Sequence, residues 1–236
     1  MKLRELESVL TAVAPFEAPN VQLEQYSTSA HLAAIMAHTI DAKYEGLEGR
    51  SVVDLGTGSG ILGLACCVLG AASVLCVDID ADALKLARQN AERLGIAGDR
   101  EDDESDDGHV LEFMRADILG ADLPLRDNMA DIVIMNPPFG TRVKGADVDF
   151  LRAAVRIARV AVYSLHKSST RDFLIAKATR EWGCRAEALA QLRFDLPRTY
   201  AFHKKQSTDI EVDLLRLDVS SKPRVLPLNG AAGTRR

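Results

Sequence analysis

The chain has 236 residues, 47% of them hydrophobic, and a formal net charge of −5: enough for one full core, short for two. No run reaches the roughly 18 apolar residues of a membrane span, and the opening MKLRELESVL reads as a charged helix rather than a signal peptide. Cys66, Cys67, Cys76 and Cys184 form no CxxC pair and no zinc spacing, and the five histidines are scattered, so no metal site is expected. Reduced core thiols fit a protein of the cytoplasm or the nucleus, nucleolus included.

In chain order, Leu3, Leu6, Leu10 and Val13 share one helical face over residues 2–13. Thr28 or Ser29 can cap a second helix that runs to about Lys43. Strands and helices then alternate: strand 51–55, helix 60–70, strand 73–79 and helix 82–95. DREDDESDD (99–107) follows, and removing its one arginine and seven acids from the chain's 29 and 34 leaves 28 against 27. Such a block repels itself and reads as a solvated insertion, bounded here at 98–109. Next come strands 110–116 and 130–136, helix 149–158, strand 160–165, helix 170–183, and strands 186–194 and 209–217, expected to pair antiparallel. Residues 1–45 are read as a helical extension packed on a catalytic domain of residues 46–219. Residues 220–236 lack periodicity and are expected to be disordered. Alternating elements with near-continuous apolar strands mean a mostly parallel α/β sheet covered on both faces. Ligands on such sheets bind beyond the strands' carboxyl ends, at the switch in strand order.

DLGTGSG (54–60) follows the first strand and opens a helix, and VDID (77–80) ends the second. Gly56, Gly58 and Gly60 let backbone approach a ligand in conformations other residues resist. An acid about 20 positions later can take a ribose, and Asp78, which ends the strand, suits this better than Asp80, which can cap the next helix. Gly58-Ser-Gly60-Ile-Leu-Gly63 also fits the dinucleotide pattern, so a dehydrogenase is a rival. Asp54, at the strand end before the first glycine, would repel a pyrophosphate. It suits a cofactor with a cationic end and no phosphate, and S-adenosylmethionine has a sulfonium, an ammonium, a ribose and an adenine. Asp117, after the third strand, can accept from an adenine amino group or serve as a helix cap.

DIVIMNPPFG (131–140) ends a buried strand in two prolines, neither of which can donate to a sheet ladder. An aromatic amine is a poor nucleophile because its lone pair is delocalised. Two acceptors aimed at its hydrogens favour the pyramidal geometry of methyl transfer. Asn136 offers a side-chain oxygen and Pro137 its carbonyl, which Pro138 restrains. Phe139 offers a face for a flipped base. The bland alternative is an ordinary Asn-Pro turn.

With DLGTGSG and VDID, the NPPF clip resembles the amino methyltransferases of the class I, Rossmann-like fold. That resemblance implies a seven-stranded, mostly parallel sheet with a C-terminal antiparallel hairpin and helices on both faces. LEQYSTSAHLAA (23–34), MNPPFGT (135–141), AVYSLHKSSTR (161–171), FDLPRTYAFHKK (194–205) and DIEVDL (209–214) narrow it. Together they look like the methyltransferase-like family that makes one N6-methyladenosine in small-subunit ribosomal RNA. The resemblance implies that Gln25 and Thr28 contact the methionine end of S-adenosylmethionine. It implies further that Gly56, Ser59 and Ile61 line the cofactor, with Ile79 beside Asp78 at the ribose, Asp117 at the adenine, and Asn136 to Phe139 catalytic. It also implies a small zinc-binding activator subunit that adds a strand to the exposed edge at 110–116. Thr57 and Ser59 depart from the family, where cysteines are common.

Arg142, Lys144, Lys167, Arg171, Arg198, His203, Lys204 and Lys205, with Tyr200 and Phe202 among them, form a candidate RNA surface, or else solvated loops. Gly140 and Gly145 flank a loop that can close over a base. Arg152, Arg156 and Arg159 read as a solvated stripe. A protein glutamine methyltransferase, with the same amide chemistry, and a non-catalytic nucleotide-binding scaffold remain as other readings. Phe139 in place of the tyrosine usual in glutamine enzymes favours RNA.

Overall fold

The computed structural model describes residues 1–96, 110–120, 123–196 and 208–222, with backbone alone for 194–196 and 208–209. The acidic insertion, the basic-aromatic group Arg198 to Lys205 and the chain beyond Lys222 lie outside the described residues.

Helix α1 (Leu3–Leu10) is shorter than its pattern, while α2 (Ala30–Lys43) is capped by Ser29, whose hydroxyl accepts from the Leu32 amide at 3.3 Å. There follow β1 (Ser51–Leu55), α3 (Ile61–Val68), β2 (Ser73–Asp78), α4 (Ala81–Arg93), β3 (Val110–Arg115) and β4 (Ala130–Met135). Helix α5 (Ala146–Ile157) starts three residues before its expected start, because Gly145, at φ +84, turns the chain into it. Then come β5 (Ala158–Lys167), α6 (Arg171–Glu181), β6 (Arg185–Leu196) and β7 (Thr208–Asp218).

The strands form one seven-stranded sheet in the order β3-β2-β1-β4-β5-β7-β6, parallel except for β7 against β5 and β6. The chain runs outward from β1 to β3, then crosses back to lay β4 on the other flank of β1. Asp54 pairs with Ile134, so Asn136 stands level with Gly56 across that switch point. Side chains alternate between the two faces. Val52, Ile132 and Ile134 pack with α1, α2 and α3, whereas Val53, Leu55, Val133 and Met135 pack with α5 and α6.

The first helices belong to this core. Leu6, Leu10, Met36 and Ile40 are fully buried in it, which stabilises by roughly 1.5–3 kcal/mol for each large side chain. Glu45, just after α2, is tied to the far end of the chain: its carboxylate accepts from Arg216 at 2.5 Å and from the Tyr163 hydroxyl. The expectation of disorder from Ser220 is corrected as far as Lys222. The Lys222 ammonium donates to the carbonyls of Val155, Arg156 and Ala158 and closes the C-terminus of α5, which agrees with the helix dipole. Among the described residues, no helix is long and apolar enough to cross a membrane.

Candidate active site

A cleft with about 910 Å³ of empty space, its mouth included, opens at the switch point. Gly56, Gly58, Asp78, Ile79, Asp117, Gln25, Asn136, Pro137 and Pro138 all line it. Thr28, Ser59 and Ile61 line a small adjoining hollow with Gly56, Gly58 and Asn136. The geometry thus gathers the sequence-predicted cofactor residues, Asp54 and Gly60 apart, around one space.

The glycine loop is held by the sheet. The Gly56 and Thr57 amides donate to the Val77 carbonyl at 2.8 and 3.0 Å. Gly56 has φ +71, and a Cβ there would sit 3.1 Å from the Phe150 ring. Gly60, at φ +86, passes so close to α4 that a Cβ would meet Ala87 at 2.9 Å. Conformation favours glycine at both positions, and at Gly60 the close approach to α4 leaves no space for a side chain. Asp78 accepts from the Gly58 amide with one oxygen and from the Asp80 amide with the other, each at 2.9 Å. Burial raises its carboxyl above the usual range, and each oxygen keeps lone-pair capacity toward the cleft. Asp80 is the N-cap of α4, as its alternative reading held, and its second oxygen accepts from Gln25 at 2.7 Å. Gln25 is thus engaged beside Asp78 and Asp80. Exposed Asp117 sits across the cleft, one oxygen accepting from the Leu119 amide at 2.9 Å, between apolar Ile118, Leu119 and Ile79.

Asp54 departs from its expected orientation. It is 1% exposed, turned beneath the loop, where one oxygen accepts from the Thr57 hydroxyl at 2.6 Å and the Gly63 amide at 2.9 Å. Burial pushes its pKa up to about 7. Its other oxygen is buried with no protein partner.

The clip carries a second orphan. The Asn136 Nδ2 donates to the Thr28 hydroxyl at 3.0 Å, and its Oδ1 is buried without a partner. A buried amide oxygen is normally satisfied. This one has no donor among the described residues, and its amide is held from the nitrogen side by Thr28. Phe139 requires a correction. Its ring is 8% exposed, stacked on Tyr26 at 6.1 Å between centroids, with the Lys167 ammonium 5.8 Å from its centre. The face expected for a flipped base is already covered, and Phe16, Tyr26 and Phe150 are the aromatics that line the cleft.

Arg142 and Lys144 are exposed on the loop after the clip, and Lys167 is half-buried beside it. Arg171 is corrected as an RNA contact: its guanidinium makes two 2.6 Å bonds to fully buried Asp213, a bidentate pairing that fixes β7 to α6. Arg156 and Arg159 pair with Asp127 and Asp131 at 2.9 and 2.7 Å, near the opposite ends of the strands. Tyr200, Phe202, His203, Lys204 and Lys205 lie outside the described residues.

Two residues that the sequence reading missed are Glu24, which accepts from the Phe139 and Arg142 amides, and Asn90. Asn90, fully buried in α4, donates to the carbonyls of Ser59 and Ala14 at 2.9 and 3.0 Å and joins the N-terminal segment to the glycine loop. A lone Glu or Asn carries no spacing signal; only contacts across more than thirty residues reveal these two.

Comparisons with known proteins place the chain among methyltransferases. A family model described as ribosomal protein L11 methyltransferase matches residues 28–136. The rRNA N(6)-adenosine-methyltransferase METTL5 of Danio rerio is 42% identical over 92% of this chain and 98% of its own. Mettl5 of Drosophila melanogaster, with the same description, is 40% identical over 94% and 99%. The chain belongs to this family of methyltransferases. The solved structure of PH1948 from Pyrococcus horikoshii, at 29% identity, superposes with a TM-score of 0.74 over 92% of this chain and 97% of its own. The seven-stranded class I methyltransferase fold is therefore shared along nearly the whole chain.

Proposed function

We propose that the protein transfers a methyl group from S-adenosylmethionine to the N6 amine of an adenosine in RNA, small-subunit ribosomal RNA in particular. The observation that carries this reading is the buried, unpartnered Asn136 oxygen at the switch point, its amide held by Thr28. The residues fit the cofactor: Asp78 takes the ribose, Asp117 and its apolar neighbours take the adenine, and the hollow at Thr28, Ser59 and Ile61 takes the methionine end. Asp54 supports the loop from beneath through Thr57 and Gly63. When bound, S-adenosylmethionine supplies an electrophilic methyl on a positive sulfur.

The chain's own residues supply orientation. Asn136 Oδ1 and the Pro137 carbonyl accept the two hydrogens of the substrate amine, and this favours a pyramidal nitrogen whose lone pair is withdrawn from conjugation with the ring and localised toward the methyl. The interaction strengthens as positive charge develops on nitrogen, so it favours the transition state over the ground state. No tuned base is needed, because the methylated amine is acidic enough to lose its proton to water. Arg142, Lys144 and Lys167 are the cations beside the clip for the RNA backbone.

The edge strand β3 supports the activator reading. Among the described residues only β2 pairs with it, Val110 is 52% exposed, and a groove in which Leu75, Ile96, Phe113 and Met114 sit with Arg88, Glu92 and Glu112 lies beside it. A zinc-binding subunit that adds a strand there makes the working form a heterodimer. Its compartment is reducing, cytoplasm or nucleus, in keeping with four free cysteines.

The test uses labelled S-adenosylmethionine with ribosomal RNA or a peptide-release factor, with and without the activator, followed by digestion. Label in N6-methyladenosine is the expected result. Label in glutamine, or cofactor binding without transfer to either substrate, overturns the reading.

A further inference from the structure

We propose that Glu24 is a positioning residue: its carboxylate holds the catalytic clip in working shape by accepting an amide hydrogen from the clip and another from the loop that follows it. The inference rests on the methyl-transfer reading above. Glu24 is 5% exposed, Oε2 accepts from the Phe139 amide at 3.1 Å, and Oε1 accepts from the Arg142 amide at 2.7 Å. Pro137 and Pro138 have no amide hydrogen, so the clip cannot be held from within by a backbone ladder. Its next amides are those of Phe139 onward, and a residue 115 positions earlier takes the first of them.

The local backbone is shaped for this. Glu24 ends a short 3-10 turn (Val21–Leu23) in the left-handed region, φ 51 and ψ 41, uncommon for a residue with a side chain and best attested where structure imposes it. From there the chain alternates. Glu24 grips the clip backbone, Tyr26 stacks on Phe139, and Thr28 holds the Asn136 amide. Gln25, between them, points the other way to Asp80. A carboxylate is the acceptor that can serve two amide donors at once with charge-assisted bonds. Both Glu24 oxygens accept amides of the clip and its loop, and this grip reaches the substrate amine through Asn136 and its neighbours.

The experiment compares Glu24→Ala, Glu24→Gln, Asn136→Ala and Glu24→Ala/Asn136→Ala in the full chain with its activator. Turnover at saturating RNA and cofactor should fall about tenfold to a hundredfold in Glu24→Ala, with cofactor Kd within about twofold of wild type. The isosteric Glu24→Gln, which keeps one acceptor, should fall between, and it carries the same readings where Glu24→Ala does not fold. The double variant should turn over no more slowly than Asn136→Ala alone, because both act through one group. Deuterium exchange of the peptide spanning Asn136 to Arg142 should quicken in either Glu24 variant, and the two prolines leave few other amides to blur the signal. Wild-type turnover in the variants, multiplying effects in the double variant, or unchanged exchange each overturns the inference. A wild-type enzyme that makes no N6-methyladenosine fails the functional reading instead, and the exchange experiment still judges the clamp.

Discussion

The two banks of the cleft are built in opposite ways. On the cofactor bank, the loop's supports lie within about thirty residues: Asp54 holds Thr57 and Gly63, three and nine residues on, Asp78 holds Gly58 from 20 away, and Asn90 holds Ser59 from 31 away. On the clip bank, the supports come from 108 to 118 residues earlier, through Thr28 and Glu24. A glycine loop needs only backbone freedom and one strand-end acid, and local sequence can encode both. A proline clip lacks amide hydrogens of its own and must be gripped from outside.

The sharpest way to break this contrast is at Asn136. Asn136→Ala should cut turnover by about 10² to 10³, the scale of one lost transition-state acceptor, and leave cofactor Kd nearly unchanged in calorimetry. Asp78→Ala should do the reverse. Loss of bonds to a charged acceptor, about 1.5–3 kcal/mol, should weaken cofactor binding by roughly ten- to 150-fold, with a smaller effect on turnover at saturation. If these two patterns exchange, the banks have been assigned the wrong way round. Thr28→Val keeps the shape and removes the acceptor for the Asn136 amide, so turnover should fall about three- to tenfold, the range of one neutral hydrogen bond. An equal loss from Thr28→Val in an Asn136→Ala background would show that Thr28 acts elsewhere.

In the wild-type chain the smallest effect is a net pH dependence, because two buried groups oppose one another. Asp54 is raised from 3.8 to about 7 by burial, so between those values the folded chain holds a proton that the unfolded chain has lost. Its contribution to stability therefore falls as pH rises through that window. His166, buried on β5 against the Ser164 hydroxyl at 2.8 Å, is lowered from 6.5 to about 3. The folded chain then holds fewer protons than the unfolded one, and stability rises with pH between those values. The two slopes, each about 1.4 kcal/mol per pH unit at most, oppose one another over their shared range. Thermal unfolding from pH 4 to 7 should show Asp54→Asn gaining stability with rising pH and His166→Gln losing it. Parallel curves for the two variants would mean that neither group titrates as described.

The same contrast explains what could be read from the sequence. The strands and helices follow from apolar runs stopped by glycine, and the cleft follows from two motifs at adjacent strand ends. The start of α5 was missed because Gly145 turns the chain before the apolar pattern begins. The burial of Phe139 was missed because an aromatic after two prolines looks the same whether it faces a ligand or Tyr26. Arg171 looked available because Asp213, its buried partner, is 42 residues away on another strand. Local chemistry was legible, and pairing across the sheet was not.

The tie between Glu45 and Arg216 bears on how the protein is made. The acid leaves the ribosome 171 residues ahead of its cation, on the order of ten to thirty seconds at ordinary elongation rates. Until β7 emerges, β5 is an uncovered inner strand ready to pair with a neighbour. A nascent chain can thus complete its glycine loop and its proline bend while the sheet beside them is still open, so chaperone capture is best sought at that late stage of translation.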